Sequence, residues 1–576
     1  MVLRLLDLGT VLPGAAAIGE ERSGTVTTVE IVLLLLIAAT MLAVVARRLA
    51  IPYPVLLVIG GLLLGFVPGL PTVELEPDVV FLVFLPPILF GAGYFTSIRD
   101  LRAKMQPIAL LAVGLVLFTT VVVAIVVHAL VPTLGWAAAF TLGAIVAPPD
   151  AVAATAVFQR LGVPRPIVTI IEGESLLNDA TALVAYRLAI IAVGSGTFSL
   201  IEAGGTFVVA SIGGIAIGLL VGIVVSWIVA RVDDEVFSIV ITFIAPIVAF
   251  LPADELELSG VLATVVAGIW VGRHAPRSLS SGVRVSGVAS WQILLFLLNG
   301  AVFILIGLTL PAALGRLAGR SVPELLMVAA AVSIAAILAR IVWVFPAVWI
   351  PHRLSEWRAA KADSAAAAAA APVPTAGDPD LADIGTDAGT APAPSSRRIA
   401  IVAWAGMRGV VSLAAALALP LDFPERDLLI FLTFAVILAT LVGQGVTLPL
   451  LIRKLNVDDG ASLEGQEEAY ARYIASDAAS SRLETLAAEW PGHLELIDTL
   501  RAQYTHRTHH AELRQDREQE DEEAEQELLE HRQIRLAVLT AERESLIALR
   551  DRAAISDEIF RRVERDLDLE ELRMEA

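Results

Sequence analysis

The sequence contains no cysteine among its 576 residues. This absence excludes disulfide bonds and thiolate metal sites. Charge is also scarce outside one segment. Residues 456–576 hold 31 Asp/Glu and 15 Lys/Arg, which accounts for −16 of the formal net charge of −19 and leaves only −3 for residues 1–455. The acidity therefore belongs to a C-terminal tail, and the rest of the chain is nearly neutral.

Hydrophobic residues are abundant and make up 56% of the chain. Between residues 28 and 452 they form repeated apolar runs of about 18 or more residues, the length that an α-helix needs to cross a bilayer. A single soluble core is excluded. The sequence predicts an all-α polytopic membrane protein with about thirteen transmembrane helices.

Positive charge is distributed unevenly between the predicted loops. Loops after odd-numbered spans hold eighteen Lys and Arg, whereas the opposite side, with the N-terminus, holds five. The positive-inside rule then predicts a multi-pass protein of the plasma (inner) membrane with its N-terminus outside and its C-terminus in the cytoplasm.

Composition predicts three segments. Residues 1–27 form an extracellular N-terminal extension, in preference to a weak signal-like segment. Residues 28–452 form the transmembrane domain, interrupted at 359–396 by a disordered cytoplasmic linker rich in Ala, Pro and Gly. Residues 453–576 form an acidic, helical cytoplasmic C-terminal domain that packs on itself or on a partner.

Two predicted spans contain helix-breaking sequences at similar depth. Span 5 carries the residues Ala147-Pro148-Pro149-Asp150, and span 12 carries Gly406-Met407-Arg408-Gly409. The two spans are seven apart and so run in opposite directions, which is the geometry of an inverted repeat relating spans 1–6 to spans 8–13. Ordinary proline and glycine kinks in packed helices are the alternative.

Six ionisable residues are predicted to lie within the membrane: Asp150, Glu174, Asp179, Arg187, Arg340 and Arg408. At roughly 2.5–3.5 kcal/mol each on insertion scales, leaving all of them unpaired would cost on the order of 15–20 kcal/mol, so pairing or contact with water is required. Glu174 is expected to pair with Arg340. Arg187 is expected to extend its side chain to the outer interface.

The segment from Glu172 to Asp179 carries hard oxygen donors at helical spacing. Glu174 and Asn178 are four residues apart, as are Ser175 and Asp179. Such groups, with backbone carbonyls freed by the break at Pro148-Pro149, suit an alkali cation. A buried carboxylate holds either a proton or a cation, so an alternately exposed site would exchange the two. The alternatives are that an arginine neutralises Asp179 and that Asp150 caps a helix.

Five motifs in the order shown carry a resemblance to a known family: LPPILFGAGYF at 85–95, GAIVAPPDAVAA at 143–154, EGESLLNDATALV at 172–184, ILARIVWVF at 337–345 and AGMRGVVSLAAALALP at 405–420. The set resembles the NhaP/NHE-type sodium/proton antiporters of the monovalent cation/proton antiporter family. The resemblance implies thirteen helices with crossed broken helices, as in NhaA and NhaP, a homodimer, and movement of a core domain against a dimer domain.

The resemblance also implies roles for residues that match the motifs. Asp179 would bind the cation and the proton, assisted by Asp150, and Ser175 and the carbonyl of Pro149 would complete the Na+ shell. Asn178 and Glu174 would shape the site, Arg340 would pair with Glu174, and Arg408 would stabilise the helix crossing. The Asn178-Asp179 pair is similar to that of the electroneutral branch, which implies one cation per proton. Many members carry a threonine at the position of Pro149 and a carboxylate at that of Gly91.

The hypothesis that follows is secondary antiport of Na+ or Li+ against H+ for sodium and pH homeostasis, without enzymatic chemistry or a cofactor other than the transported ions. A K+/H+ antiporter is the main alternative. An intramembrane aspartyl protease is disfavoured because Asp179 lacks the expected Gly-x-Gly-Asp context. A membrane sensor acting through the tail is a further alternative. The expected partners are a monovalent cation, the proton, the lipid bilayer and a second copy of the chain, and no nucleic acid is expected.

Overall fold

The computed structural model describes residues 37–46, 48–49, 52–67, 80–195, 200–232, 234–317, 319–369, 395–457, 460–515, 522–552 and 557–575. Every regular element within these ranges is a helix. The all-α prediction is therefore confirmed. The predicted N-terminal extension lies outside the described residues.

Eight described helices are long and apolar enough to cross a membrane. They are Met105–Leu130, Trp136–Leu161, Arg165–Ser195, Gly204–Val229, Glu235–Glu255, Gly282–Pro311, Val322–Ile350 and Arg426–Leu455. Four shorter apolar helices accompany them: Ile37–Ala46, Tyr53–Gly65, Leu82–Phe95 and Gly260–Ala275. The chain is thus a multi-pass membrane protein, while the count of thirteen helices and the inverted repeat stay predictions.

Helical structure is interrupted at both positions that the sequence indicated. The first broken helix consists of Trp136–Val146 and Ala151–Leu161. The second consists of Ser396–Trp404 and Val410–Leu417. Two further helices contribute residues to the site. They are the site helix, Arg165–Ser195, and the wall helix, Ser281–Arg316.

Close backbone contacts join the wall helix to helix Tyr53–Gly65. A Cβ atom added to Gly61 would overlap the carbonyl oxygen of Ile304, and one added to Gly307 would overlap that of Val58. Only glycine permits such approaches, and small residues at helix interfaces are a common means of packing helices in membranes. These contacts fix the position of the wall helix.

The helix that begins at Val322 extends further than predicted. It runs to Ala369, beyond the expected start of the disordered linker at residue 359. The physical reason is the alanine run from Ala365, because alanine has the highest intrinsic helix propensity. Residues 370–394 of the predicted linker lie outside the described residues.

The chain divides into two compact units, Met1–Asp458 and Asp459–Ala576. The second unit contains helices Gly460–Glu489, Leu494–Gln515, Glu522–Asp551 and Asp557–Glu575. The first two pack against each other, as do the last two. Hydrogen bonds of 2.7 Å that Arg543 donates to Glu571 and Asp568 join the last pair and raise the pKa of the Arg543 guanidinium.

We expect Gly61→Ala to destabilise the protein by about 1–3 kcal/mol, because the added methyl group has no space against the wall helix. Gly204→Ala is the matched control. Gly204 also lies in a helix, but nothing lies within 4 Å of its added Cβ atom. This control should be neutral or slightly stabilising. Thermal unfolding in detergent measures both, and equal melting temperatures for the two variants would contradict the close packing.

Candidate functional site

A backbone hydrogen bond connects the two helix breaks directly. The amide of Asp150, in the first break, donates to the carbonyl oxygen of Met407, in the second, at 2.7 Å. Backbone groups that leave a helix inside a membrane must find partners within the protein. Here each break supplies a partner for the other, so the two interruptions form one structural unit.

The side chain of Asp150 caps the second half of the first broken helix. Its Oδ1 atom accepts a hydrogen bond from the amide of Val152 at 2.8 Å, as an N-cap residue does. A Cβ atom at Gly409 would overlap its Oδ2 atom. Glycine is therefore required where the second break passes the carboxylate. The alternative that Asp150 caps a helix is therefore confirmed for its Oδ1 atom.

The site helix holds the first break through two polar side chains. The Nδ2 atom of Asn178 donates to the carbonyl oxygen of Pro149 at 3.0 Å, and the Oγ atom of Ser175 accepts from the amide of Ala151 at 3.3 Å. Both bonds fix the backbone beside Asp150. Since a carbonyl oxygen has two lone pairs, the Pro149 carbonyl can accept from Asn178 and still face a cation.

Glu174 and Arg340 form a buried, two-pronged ion pair. The Nη1 and Nη2 atoms of Arg340 lie 2.5 and 2.9 Å from the two carboxylate oxygens, and each side chain is only 1% exposed. The Nε and Nη2 atoms of Arg340 also donate to the carbonyl of Val402 in the second broken helix, at 3.3 and 3.0 Å. The pair therefore joins the site helix to the second broken helix, and it leaves Asp179 outside the interaction.

Arg408 lies at the second break and is 1% exposed. Its backbone amide donates to the Oγ1 atom of Thr440 at 3.1 Å. Its Nε and Nη1 atoms have no hydrogen-bond partner among the described residues. A buried guanidinium placed between half-helices can interact with the partial negative charge at helix C-termini, and this is the role that the family resemblance implies for it.

A cavity of about 560 Å³ contains the two aspartates. Asp150, Asp179, Ser175 and Pro149 line it together, whereas Glu174, Asn178, Arg340 and Arg408 lie behind its wall. Asp179 is only 6% exposed. The structure thus gathers around one space four of the five residues expected at the cation site. The fifth, Asn178, does not line the cavity and instead donates its hydrogen bond to the carbonyl of Pro149.

The sequence did not indicate that four further residues line the cavity. They are Glu172, which precedes Asp179 by two turns on the site helix, Gln292 and Asn299 of the wall helix, and Ser412 of the second broken helix. Asn299 could have been found, since it is the one amide in the predicted span 291–310 apart from Gln292. Gly91 also lines the cavity, and a Cβ atom there would lie 2.8 Å from Leu295.

Among the described residues no group of three or more His, Cys, Asp and Glu could hold a metal ion. The cavity instead offers the carboxylates of Asp150, Glu172 and Asp179 with hydroxyl, amide and carbonyl oxygens nearby. Such hard oxygen ligands suit an alkali cation better than a transition metal.

We expect Glu174→Gln or Arg340→Met alone to cost about 3–5 kcal/mol of stability, because each leaves an uncompensated charge or a buried donor in the membrane. The double variant should lose less than the sum of the two single losses. Melting temperatures in detergent for the four proteins of this cycle measure the coupling. Strictly additive losses would show that the two side chains do not stabilise each other.

Comparisons with known proteins give the family. The model of the family described as "Sodium/hydrogen exchanger, transmembrane" matches residues 32–454. The chain is 32% identical over 573 residues to an uncharacterized Na+/H+ exchanger of Mycobacterium tuberculosis (strain ATCC 25618 / H37Rv), covering 97% of this chain and 98% of the relative. It is also 32% identical over 446 residues to the sodium, potassium, lithium and rubidium/H+ antiporter of Bacillus subtilis (strain 168), covering 73% and 61%.

The fold has a solved counterpart. The structure of the sodium proton antiporter MjNhaP1 from Methanocaldococcus jannaschii is similar with a TM-score of 0.55 at 20% identity, covering 74% of this chain and 98% of that chain. At this identity the likeness concerns the fold alone. The matched family model, which spans nearly the whole membrane unit, shows that the chain belongs to the sodium/hydrogen exchanger family.

Proposed function

We propose that this protein is a secondary antiporter that exchanges Na+ for H+ across the plasma membrane. The observation that carries the proposal is the placement of Asp150 and Asp179 in one cavity at two helix breaks joined by a hydrogen bond. Carboxylates within a membrane protein are costly and typically mark an ion or proton path. The family membership supports the same activity.

Asp179 has the central role in the proposed cycle. It is nearly buried, lines the cavity and lies outside the Glu174–Arg340 pair. Its carboxylate would bind either Na+ or H+, so that the arrival of one displaces the other. Asp150 would assist with its second carboxylate oxygen. The oxygens of Ser175 and Pro149 would replace part of the water shell of the cation.

The proposed stoichiometry is one cation per proton. It is supported by the resemblance of the Asn178-Asp179 pair to that of the electroneutral branch. Asn178 contributes an amide that carries no charge, and Glu174 is already neutralised by Arg340. One Na+ or one H+ on Asp179 would therefore balance one charge in either state.

The proposed orientation follows from the loop charges, with the N-terminus outside and the C-terminus in the cytoplasm. Gln159 and Glu172 line the cavity and lie towards the cytoplasmic ends of their helices in that orientation. The cavity would then face the cytoplasm. Transport would require the site helix and the broken helices to move against the wall helix, and a homodimer would hold the wall in place, as the family resemblance implies.

K+ is the second candidate for the cation. A Bacillus subtilis relative at 32% identity is named as an antiporter of sodium, potassium, lithium and rubidium, whereas other relatives are named for sodium alone. The named relatives thus support sodium more broadly than potassium.

The first test is cation-driven dissipation of an imposed pH gradient in proteoliposomes, with Na+, Li+ and K+ compared. We expect Na+-dependent proton movement in the wild type and its loss in Asp179→Asn, since an amide cannot exchange a proton for a cation. Asp422→Asn is the matched control because Asp422 is exposed in a loop, and it should transport normally. Absence of flux from folded wild-type protein with all three cations would contradict the proposal.

The second test concerns stoichiometry. The rate of exchange should not change when a membrane potential is imposed with a K+ ionophore, because exchange of one Na+ for one H+ moves no net charge. A potential of 100 mV is worth about 2.3 kcal/mol per elementary charge, so even one uncompensated charge per cycle would alter the rate visibly. A rate that rises or falls with the potential would exclude electroneutral exchange.

A further inference from the structure

Two cavity residues outside the predicted ion site carry buried oxygen atoms without partners. Asn299 on the wall helix is 6% exposed, and its Oδ1 atom has no hydrogen-bond partner among the described residues. Ser412 on the second broken helix is 1% exposed, and its Oγ atom also has no hydrogen-bond partner among the described residues. Both residues line the cavity that contains Asp150 and Asp179.

Such atoms are costly. A buried polar atom that makes no hydrogen bond costs about 1–3 kcal/mol, and most buried polar atoms in proteins have a partner. The sequence could have avoided the cost with a leucine on the wall helix and an alanine on the second broken helix. Two such atoms on different elements of one cavity therefore indicate a ligand that supplies the missing interaction.

The placement of Asn299 is set by the face of the wall helix. Gln292, Leu295, Phe296 and Asn299 all line the cavity, and their spacing of three, four and seven residues places them on one stripe. Leu295 and Phe296 form the apolar middle of the stripe, and the amides of Gln292 and Asn299 lie at its two ends. Asn299 thus lines the cavity from the wall helix, an element separate from those that carry the two aspartates.

Ser412 approaches from the second broken helix. It lies three residues after Gly409, whose Cα passes against the Asp150 carboxylate. Its hydroxyl is therefore in the first turn of the helix Val410–Leu417, close to the break. The two unpartnered oxygens and the two carboxylates come from four separate elements around the same space.

We propose that Asn299 and Ser412 are neutral ligands of the transported cation, directly or through one of its waters, and that they help to determine which alkali cation is bound. The proposal rests on the proposed antiport. An amide oxygen and a hydroxyl are hard donors that suit a dehydrating alkali cation. Neither group binds a proton near neutral pH, so they favour the cation form of the site without favouring its proton form.

This difference gives a measurable signature. Replacing a neutral ligand should weaken the cation and leave the intrinsic affinity for the proton unchanged. Replacing a carboxylate should alter both. The wall residue should also affect cations of different radius unequally, since its position relative to the aspartates sets the size of the space between them.

The experiment measures the apparent KM for Na+, Li+ and K+ at several pH values in proteoliposomes. We expect Asn299→Ala and Ser412→Ala each to raise the KM for Na+ roughly 3- to 10-fold, the loss expected for one neutral contact, and to change the ratio of Na+ to K+. The proton inhibition constant obtained from the pH series should equal that of the wild type. Asn299→Asp should restore an oxygen ligand but make the KM more dependent on pH.

Thr119→Val is the matched control for loss of a buried hydroxyl. The Oγ1 atom of Thr119 is also buried and without a partner among the described residues, but Thr119 does not line the cavity. Its replacement should leave every KM unchanged. Equal KM shifts in Thr119→Val and in the two cavity variants would show a general effect of packing and would overturn the proposal.

A second readout does not depend on transport. Na+ and Li+ should raise the melting temperature of the detergent-solubilised wild type, and the rise should be smaller in Asn299→Ala and Ser412→Ala. Unchanged KM values and an unchanged thermal shift in both variants would overturn the assignment of these ligands while leaving the antiport intact. If the wild type itself gives no flux and no thermal shift, the proposed function fails instead.

Discussion

Backbone groups inside a membrane must be satisfied by the protein, and the structure around the two aspartates is organised by that requirement. Each break leaves backbone amides and carbonyls without partners inside their own helix. The bond between Asp150 and Met407 satisfies one group from each break. The side chains of Asn178 and Ser175 satisfy two more groups in the first break. The oxygen-bearing residues Asp150, Asp179, Ser175 and Pro149 line one shared cavity beside these bonds.

The buried charges near the two breaks are also satisfied in part by the protein itself. Glu174 and Arg340 pair with each other, and Arg340 also reaches Val402 in the second broken helix. Arg340 is therefore neutralised by Glu174 and not by either of the two aspartates in the cavity. The pair neutralises two of the buried charges, and it leaves both aspartates free for the ion binding that we propose.

Much of this arrangement could be predicted from the residues. Apolar length gave the helices, and the Pro148-Pro149 and Gly406-Gly409 sequences located the breaks, because proline and glycine disturb helices for known steric reasons. The expected Glu174–Arg340 contact is also seen in the structure. In contrast, Asn299 could have been recognised as an amide in an apolar span, but neither its position at the cavity nor that of Ser412 could be predicted. Helical spacing gives the face that a residue occupies but not the helix that faces it.

Other features depend on contacts that local sequence does not encode. Arg187 was expected to extend to the outer interface, and its half-exposed side chain is compatible with that prediction. The sequence did not indicate that its Nη2 atom would lie 2.6 Å from the Oδ1 atom of Asp254 on helix Glu235–Glu255. The two residues are far apart in the chain, and only the packing of their helices brings them together. The same is true of the hydrogen bond from Arg408 to Thr440.

The connection between the two helix breaks has a mechanical consequence. Asp150 is tied through its amide to Met407, through its carboxylate to Val152, and through its neighbour Pro149 to Asn178. Groups that are hydrogen-bonded to one another in this way are expected to move together. Under the proposed antiport, the site would therefore open by displacement of a rigid block and not by the swing of a single side chain.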